Sequence, residues 1–115
     1  MSVGIDIIEL DRLIGVEDKI ADKILSINEI TIYKGKNKNK LPFLGGRWAL
    51  KEAFIKAYNI EQLTLNNMKD IEVFNEINGK PYIVFKNKKY NDVSISHEKH
   101  YAVGMVNINL LKIAL

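Results

Sequence analysis

The stretch RWALKEAFIKAY, Arg47 to Tyr58, constrains the fold of this 115-residue chain more than any other. Leu50, Ala53, Phe54, Ala57 and Tyr58 recur at i, i+3, i+4, i+7 and i+8, the spacing of one buried stripe on an α-helix. The helix reads as running from about Pro42 to Asn59. Trp48, Glu52, Ile55 and Asn59 fall on the opposite face, so a carboxylate lies between a tryptophan and an isoleucine. That second apolar face points to partial burial or an interface, and Glu52 there needs a cation beside it.

Around this helix the chain reads as α+β. SVGIDIIE is β-branched and alternates in places, a first strand. From about Glu9 the spacing of Leu10, Leu13, Ile14, Ile20 and Ile24 becomes helical, interrupted near Gly15. Ser26 with Glu29 three residues on is a capping-box pattern that opens a short helix. A Lys/Asn-rich loop follows. DIEVFNEINGKPYIVF holds two strands about Asn78-Gly79, the dipeptide suited to a tight type I′ turn. VSISHEKHYAVGMVNI holds two more about Glu98-Lys99. The expected architecture is one domain over residues 1–115, a long helix packed on an antiparallel sheet.

Composition narrows the chemistry. Apolar residues make up 47% and charged residues 27%, the balance of a globular chain. No apolar run approaches the ~20 residues that span a bilayer. The N-terminus lacks the pattern of a signal peptide, so a cytoplasmic location is expected. With no cysteine, thiolate catalysis, disulfides and cysteine-based zinc sites are excluded. The net charge of +3 is mild, and much of the excess lies in YKGKNKNK. That run is a solvated loop, or a basic edge for an anionic ligand, an acidic protein or nucleic acid.

Two carboxylates stand out. Glu52 is either a surface residue paired with Lys56 at i+4 or a ligand for a cation. Asp6, inside VGIDII, is either a helix N-cap completed by Glu9 or a strand carboxylate aimed at the helix that bears Glu52. A pair of carboxylates without histidine or cysteine suits a hard cation such as Mg²⁺ shared with substrate phosphates. His97 and His100 are three apart with no third ligand at helix spacing, which disfavours zinc. Ser94 and Ser96 lack a nucleophile elbow. No Walker A or dinucleotide-binding glycine pattern is present.

In this order the motifs resemble the holo-acyl-carrier-protein synthase family of 4′-phosphopantetheinyl transferases. GIDIIELDR supplies Gly4, Asp6 and Arg12, like the family's first signature. RWALKEAFIKA supplies Trp48, Ala49, Lys51, Glu52, Ala53, Lys56 and Ala57, like its second. NGKPYI and VSISHEKHYAV match the hairpin and last strand pair. The resemblance implies transfer of 4′-phosphopantetheine from coenzyme A to a serine of apo acyl carrier protein, with release of 3′,5′-ADP, in support of fatty acid biosynthesis. It further implies Mg²⁺, with Mn²⁺ as the alternative ion, held by Asp6 and Glu52. Lys56 would neutralise the pyrophosphate. Gly79, Pro81, Ser96 and His97 would line the coenzyme A cleft, Arg12 would meet the acidic carrier, and small members of the family form homotrimers with active sites between subunits. The serine proton would pass to a water or to one of the carboxylates.

Two other readings compete. One is a relative that binds coenzyme A or a carrier protein without catalysis. The other is a small nucleic-acid-binding module using the lysine-rich loop with Tyr33, Tyr82, Phe85 and Tyr90 as stacking surfaces. No RNP-like signature supports the latter, and neither nucleic acid nor membrane is the expected partner.

Overall fold

The long helix expected from the sequence organises the whole molecule. The structure, a computed structural model, describes residues 2–58 and 65–109. The helix, α3, spans Lys40–Tyr58, opening two residues before Pro42; its expected end at Asn59 lies outside the described residues. Pro42 is tolerated because the first-turn N–H groups have no partner within a helix. Leu44, Ala49, Leu50, Ala53, Phe54 and Ala57 are all buried along α3.

Among the described residues six strands flank it in two antiparallel sheets, not in the single sheet the sequence suggested. The first has the order β1 (Ser2–Glu9), β6 (Tyr101–Ile108), β5 (Val93–His97). The second has the order β2 (Glu72–Asn75), β3 (Pro81–Phe85), β4 (Lys88–Tyr90). The chain's first strand thus pairs with its last, with Asp6 opposite Gly104.

The hairpin turns also differ from expectation. At Asn78-Gly79 only the glycine takes a positive φ, 91°, and Gly79 N donates to Glu76 O, so the type I′ turn is not formed there. The pair of positive φ angles that a type I′ turn needs occurs instead at Lys86 and Asn87 (50° and 64°), between β3 and β4.

On the other side of α3 lie a 3-10 turn at Leu10–Leu13 and the helices α1 (Glu17–Ile24) and α2 (Ile27–Lys34). The Ser26–Glu29 capping box forms as read. A second 3-10 turn, Leu65–Asp70, precedes β2.

Two cores result, with α3 between them. Leu50, Ala53, Phe54 and Ala57 pack with Ile71, Val73, Ile83, Phe85, Val106 and Ile108 on the sheet side. Leu44 packs with Leu10, Leu13, Ala21, Leu25, Tyr33 and Met68 on the helical side, where Trp48 and Ile55 join them. The second apolar face of α3 is therefore partly covered by this chain's own helices, with Trp48 still open to a groove.

The helix approaches the first sheet at its glycines. A Cβ on Gly4 would lie 1.9 Å from the carbonyl oxygen of Ala53, and one on Gly104 would lie 2.5 Å from Leu50 N. Only glycine allows this spacing, and it brings β1 within side-chain reach of the helix that bears Glu52.

Candidate active site

Asp6 sits in the middle of β1, on the face turned to α3 together with Gly4 and Ile8. The helix-cap reading of Asp6 is overturned, since the residue before the first 3-10 turn is Glu9 and it makes no side-chain cap. Glu52 meets Asp6 from α3. Its carboxyl is pushed up to about 7, first by burial and then by Asp6, as both a proton acceptor and a charge. Trp48 and Lys56 act in the opposite sense, Trp48 by donating its indole N–H to Glu52 Oε1 at 3.1 Å.

Lys56 does not pair with Glu52 as the i+4 spacing suggested. It reaches across to β1, donating to Asp6 Oδ1 at 2.9 Å and to the carbonyl of Ile5 at 3.1 Å. With Glu52 ionised, Asp6 Oδ2 is buried and no hydrogen-bond donor reaches it. Two adjoining carboxylates, one raised and one with an orphaned oxygen, are under-neutralised by a single lysine. The arrangement fits a divalent hard cation. Among the described residues no third acidic, histidine or cysteine ligand joins them. That suits Mg²⁺, which keeps waters and substrate phosphates in its shell.

A separate cleft of about 510 Å³ opens between the start of α3, the β2–β3 hairpin and the end of β5. Gly79, Pro81 and His97 line it, as do Lys36, Phe43 and Arg47. Asp6 and Glu52 do not. Ser96 is also absent from the lining: strand alternation puts Ile95 and His97 on the cleft side and Ser96 on the outer face.

Arg47 was not singled out in the sequence. It is buried, its guanidinium stacks on the Phe43 ring at 3.9 Å, and NH2 donates to Asn75 Oδ1 at 2.6 Å. Its Nε has no partner, and burial pushes its pKa down against the opposing influence of Glu29. The available signal was a cation among the buried positions of α3, where Leu44, Arg47, Leu50 and Phe54 follow helical spacing.

Arg12 lies at a second groove, about 360 Å³, lined by Ile7, Ile8, Leu13, Val16, Ile20 and Trp48. His100 pairs with Asp11 at 3.0 Å, away from both clefts. The aromatic surface required for nucleic-acid stacking is not available. Tyr33, Phe85 and Tyr90 are buried, and Tyr82 is half-buried beneath Lys89.

Comparison with known proteins decides the family. Residues 2–106 match the 4′-phosphopantetheinyl transferase superfamily. The chain belongs to that family. It is an enzyme of the holo-[acyl-carrier-protein] synthase type. A holo-[acyl-carrier-protein] synthase of Anoxybacillus flavithermus is 41% identical, covering 96% of this chain and 97% of its own. One of Mycoplasma capricolum is 48% identical, covering 90% of each. The crystal structure of a Bacillus anthracis holo-(acyl-carrier-protein) synthase in complex with CoA (3′,5′-ADP) superposes with a TM-score of 0.78 at 38% identity, covering 91% of this chain and 92% of the other. No helix among the described residues is long and apolar enough to cross a membrane.

Proposed function

We propose that this transferase moves 4′-phosphopantetheine from coenzyme A to a serine of apo acyl carrier protein. The serine oxygen gives its proton to a water or to one of the carboxylates and forms a bond to the β-phosphorus, the bond from that phosphorus to the bridging oxygen breaks, and 3′,5′-ADP leaves. The observation that carries the reading is the meeting of Asp6 and Glu52 beside Lys56, with no donor reaching Asp6 Oδ2 when Glu52 is ionised.

Asp6 and Glu52 would hold Mg²⁺, with Mn²⁺ as the substitute. The ion supplies charge neutralisation on the pyrophosphate, the dominant requirement of phosphoryl transfer. Lys56, half-exposed and tethered only to β1, turns its ammonium to the phosphates and stabilises charge on the leaving group. Lys36 and Arg47 give the cleft the cations to receive the phosphates of coenzyme A, His97 adds ring nitrogens, and Gly79 and Pro81 shape its wall. Arg12, at the rim of the apolar groove beside Trp48, meets the acidic carrier protein. The product, holo carrier protein, serves fatty acid biosynthesis in the cytoplasm.

The homotrimer that the family resemblance implies is supported, as association between copies, by two features. The cleft and the carboxylates have no lining residue in common, and a neighbouring copy could bring its cleft to the carboxylate pair of this one. The outer face of the first sheet supplies a contact surface: Val3, Ile5 and Ile7 on β1 and Tyr101 and Met105 on β6 are exposed together, with Ile5 opposite Met105.

The reaction is tested by intact-mass spectrometry of apo acyl carrier protein incubated with the enzyme, coenzyme A and Mg²⁺. The expected result is a gain of one phosphopantetheine, about 340 Da, abolished by EDTA. Unchanged mass with several carrier proteins, while coenzyme A still binds, would favour the non-catalytic relative.

A further inference from the structure

An ammonium group with no exposed surface sits one residue before Glu52. Lys51 and Glu29 are both fully buried, at 0% side-chain exposure each. Lys51 Nζ donates all three of its hydrogens: to Glu29 Oε1, to the carbonyl of Ile24 at 2.6 Å and to that of Met68 at 2.9 Å. Glu29 Oε1 also accepts from Ser26 N at 2.9 Å, and Oε2 accepts from Val73 N at 3.1 Å. The junction therefore joins the last residue of α1, the cap of α2, the second 3-10 turn and β2 to one residue of α3.

A buried ion pair is a poor stabiliser, because desolvation offsets attraction and packed apolar groups serve as well. Burial lowers the Lys51 pKa, and Glu29 opposes that effect. What the pair adds is direction. Hydrogen bonds to a fixed carboxylate and two fixed carbonyls restrain Lys51, while the Gly4 and Gly104 contacts fix the distance of α3 from the sheet. Between them the helix cannot roll. A roll of about 10° would move a carboxylate some 6 Å from the axis by about 1 Å, a displacement that can cost about a hundredfold in rate.

We infer that Lys51 and Glu29 are positioning residues of the transfer reaction: their buried pair sets the roll of α3 and, with it, the aim of Glu52 and Lys56. The inference rests on the reaction proposed above. Neither residue touches the reacting atoms, and each acts through α3.

Two variants test it. Glu29→Asp keeps both charges and shortens the carboxylate's reach by one methylene. Glu29→Gln combined with Lys51→Met removes both charges together, so that neither is left buried alone. Each is compared with wild type well below its melting temperature, by kcat, by KM for coenzyme A, and by Mn²⁺ affinity from electron paramagnetic resonance without turnover. Expected are folded proteins with kcat lowered about tenfold or more, Mn²⁺ binding weakened several-fold, and KM for coenzyme A within about twofold of wild type.

Folded variants with wild-type kcat and Mn²⁺ affinity would overturn the inference. So would loss of kcat with Mn²⁺ affinity unchanged, because a roll of α3 moves Glu52 together with Lys56. Failure of both variants to fold would also overturn it, by making the pair a requirement of folding and not of aim. A wild-type enzyme that transfers nothing would instead sink the proposed reaction, and the Mn²⁺ measurement keeps the two failures apart.

Discussion

Ionised Glu52 is held in the folded chain at a cost that a proton or a bound cation relieves. With its carboxyl raised from 4.5 to about 7, the folded protein holds this proton more tightly than the unfolded chain does. The stability it contributes is complete below the unfolded value and is lost as pH rises through about 7. Glu52→Gln should therefore raise the melting temperature of the metal-free protein at about pH 8, with the gain shrinking towards pH 5. The same proton competes with a bound divalent ion. The Mg²⁺ concentration giving half-maximal transfer should rise as pH falls below about 7, by up to about tenfold per pH unit for one displaced proton. A Mg²⁺ requirement flat from pH 8 to 6 would contradict this. Asp6→Ala and Glu52→Ala should each fold and lose transfer at any practical Mg²⁺ concentration, read by the same mass shift. At this scale the sequence was only partly legible. Asp6 and Glu52 could be picked out as carboxylates in apolar surroundings, but helical spacing alone paired Lys56 with the wrong partner, since its partner lies on a strand 50 residues away. Ser96 and His97 are neighbours in one strand, so their side chains face opposite ways, and alternation could have separated them beforehand.

Elements were more legible than their partners. Ser26 and Glu29 announced the start of α2 because a capping box is a local device. Ser26→Ala should lower stability by about 1 kcal/mol in urea unfolding. The type I′ turn was placed at Asn78-Gly79 on composition. There the hairpin loop is longer, and Lys86-Asn87 adopts the twist without a glycine. Alternation marks which face of a strand is buried and not which strand it joins, so the pairing of β1 with β6 and the division into two sheets could not be read. Of the two glycines, Gly4 was legible only as a motif residue and Gly104 only as one position in the alternation of the last strand. Their physical role is the close approach of α3, and Gly4→Ala should therefore destabilise by about 1–3 kcal/mol, as overpacking does, and weaken transfer by moving Asp6 away from Glu52.

For the whole molecule, the sequence placed the unsatisfied apolar surface on α3, through Trp48 and Ile55. The folded chain half-buries those residues against its helical core and exposes Val3, Ile5 and Ile7 more fully. A sheet face of this kind in water favours association, and light scattering should give about three times the 13.2 kDa chain mass. Ile5→Lys should dissociate the assembly and abolish transfer together. The claim joining fold to function is that the carboxylate pair of one copy works with the coenzyme cleft of the next. It is tested most directly by mixing two inactive proteins, Asp6→Ala and the double variant Lys36→Glu/His97→Glu, through dissociation and reassembly, and measuring carrier-protein modification by mass. Shared sites should restore roughly a quarter of the wild-type rate, the fraction of interfaces in a random mixture where an intact pair meets an intact cleft. Mixtures that stay as inactive as either parent would place the whole site within one chain and contradict the assembly proposed for it.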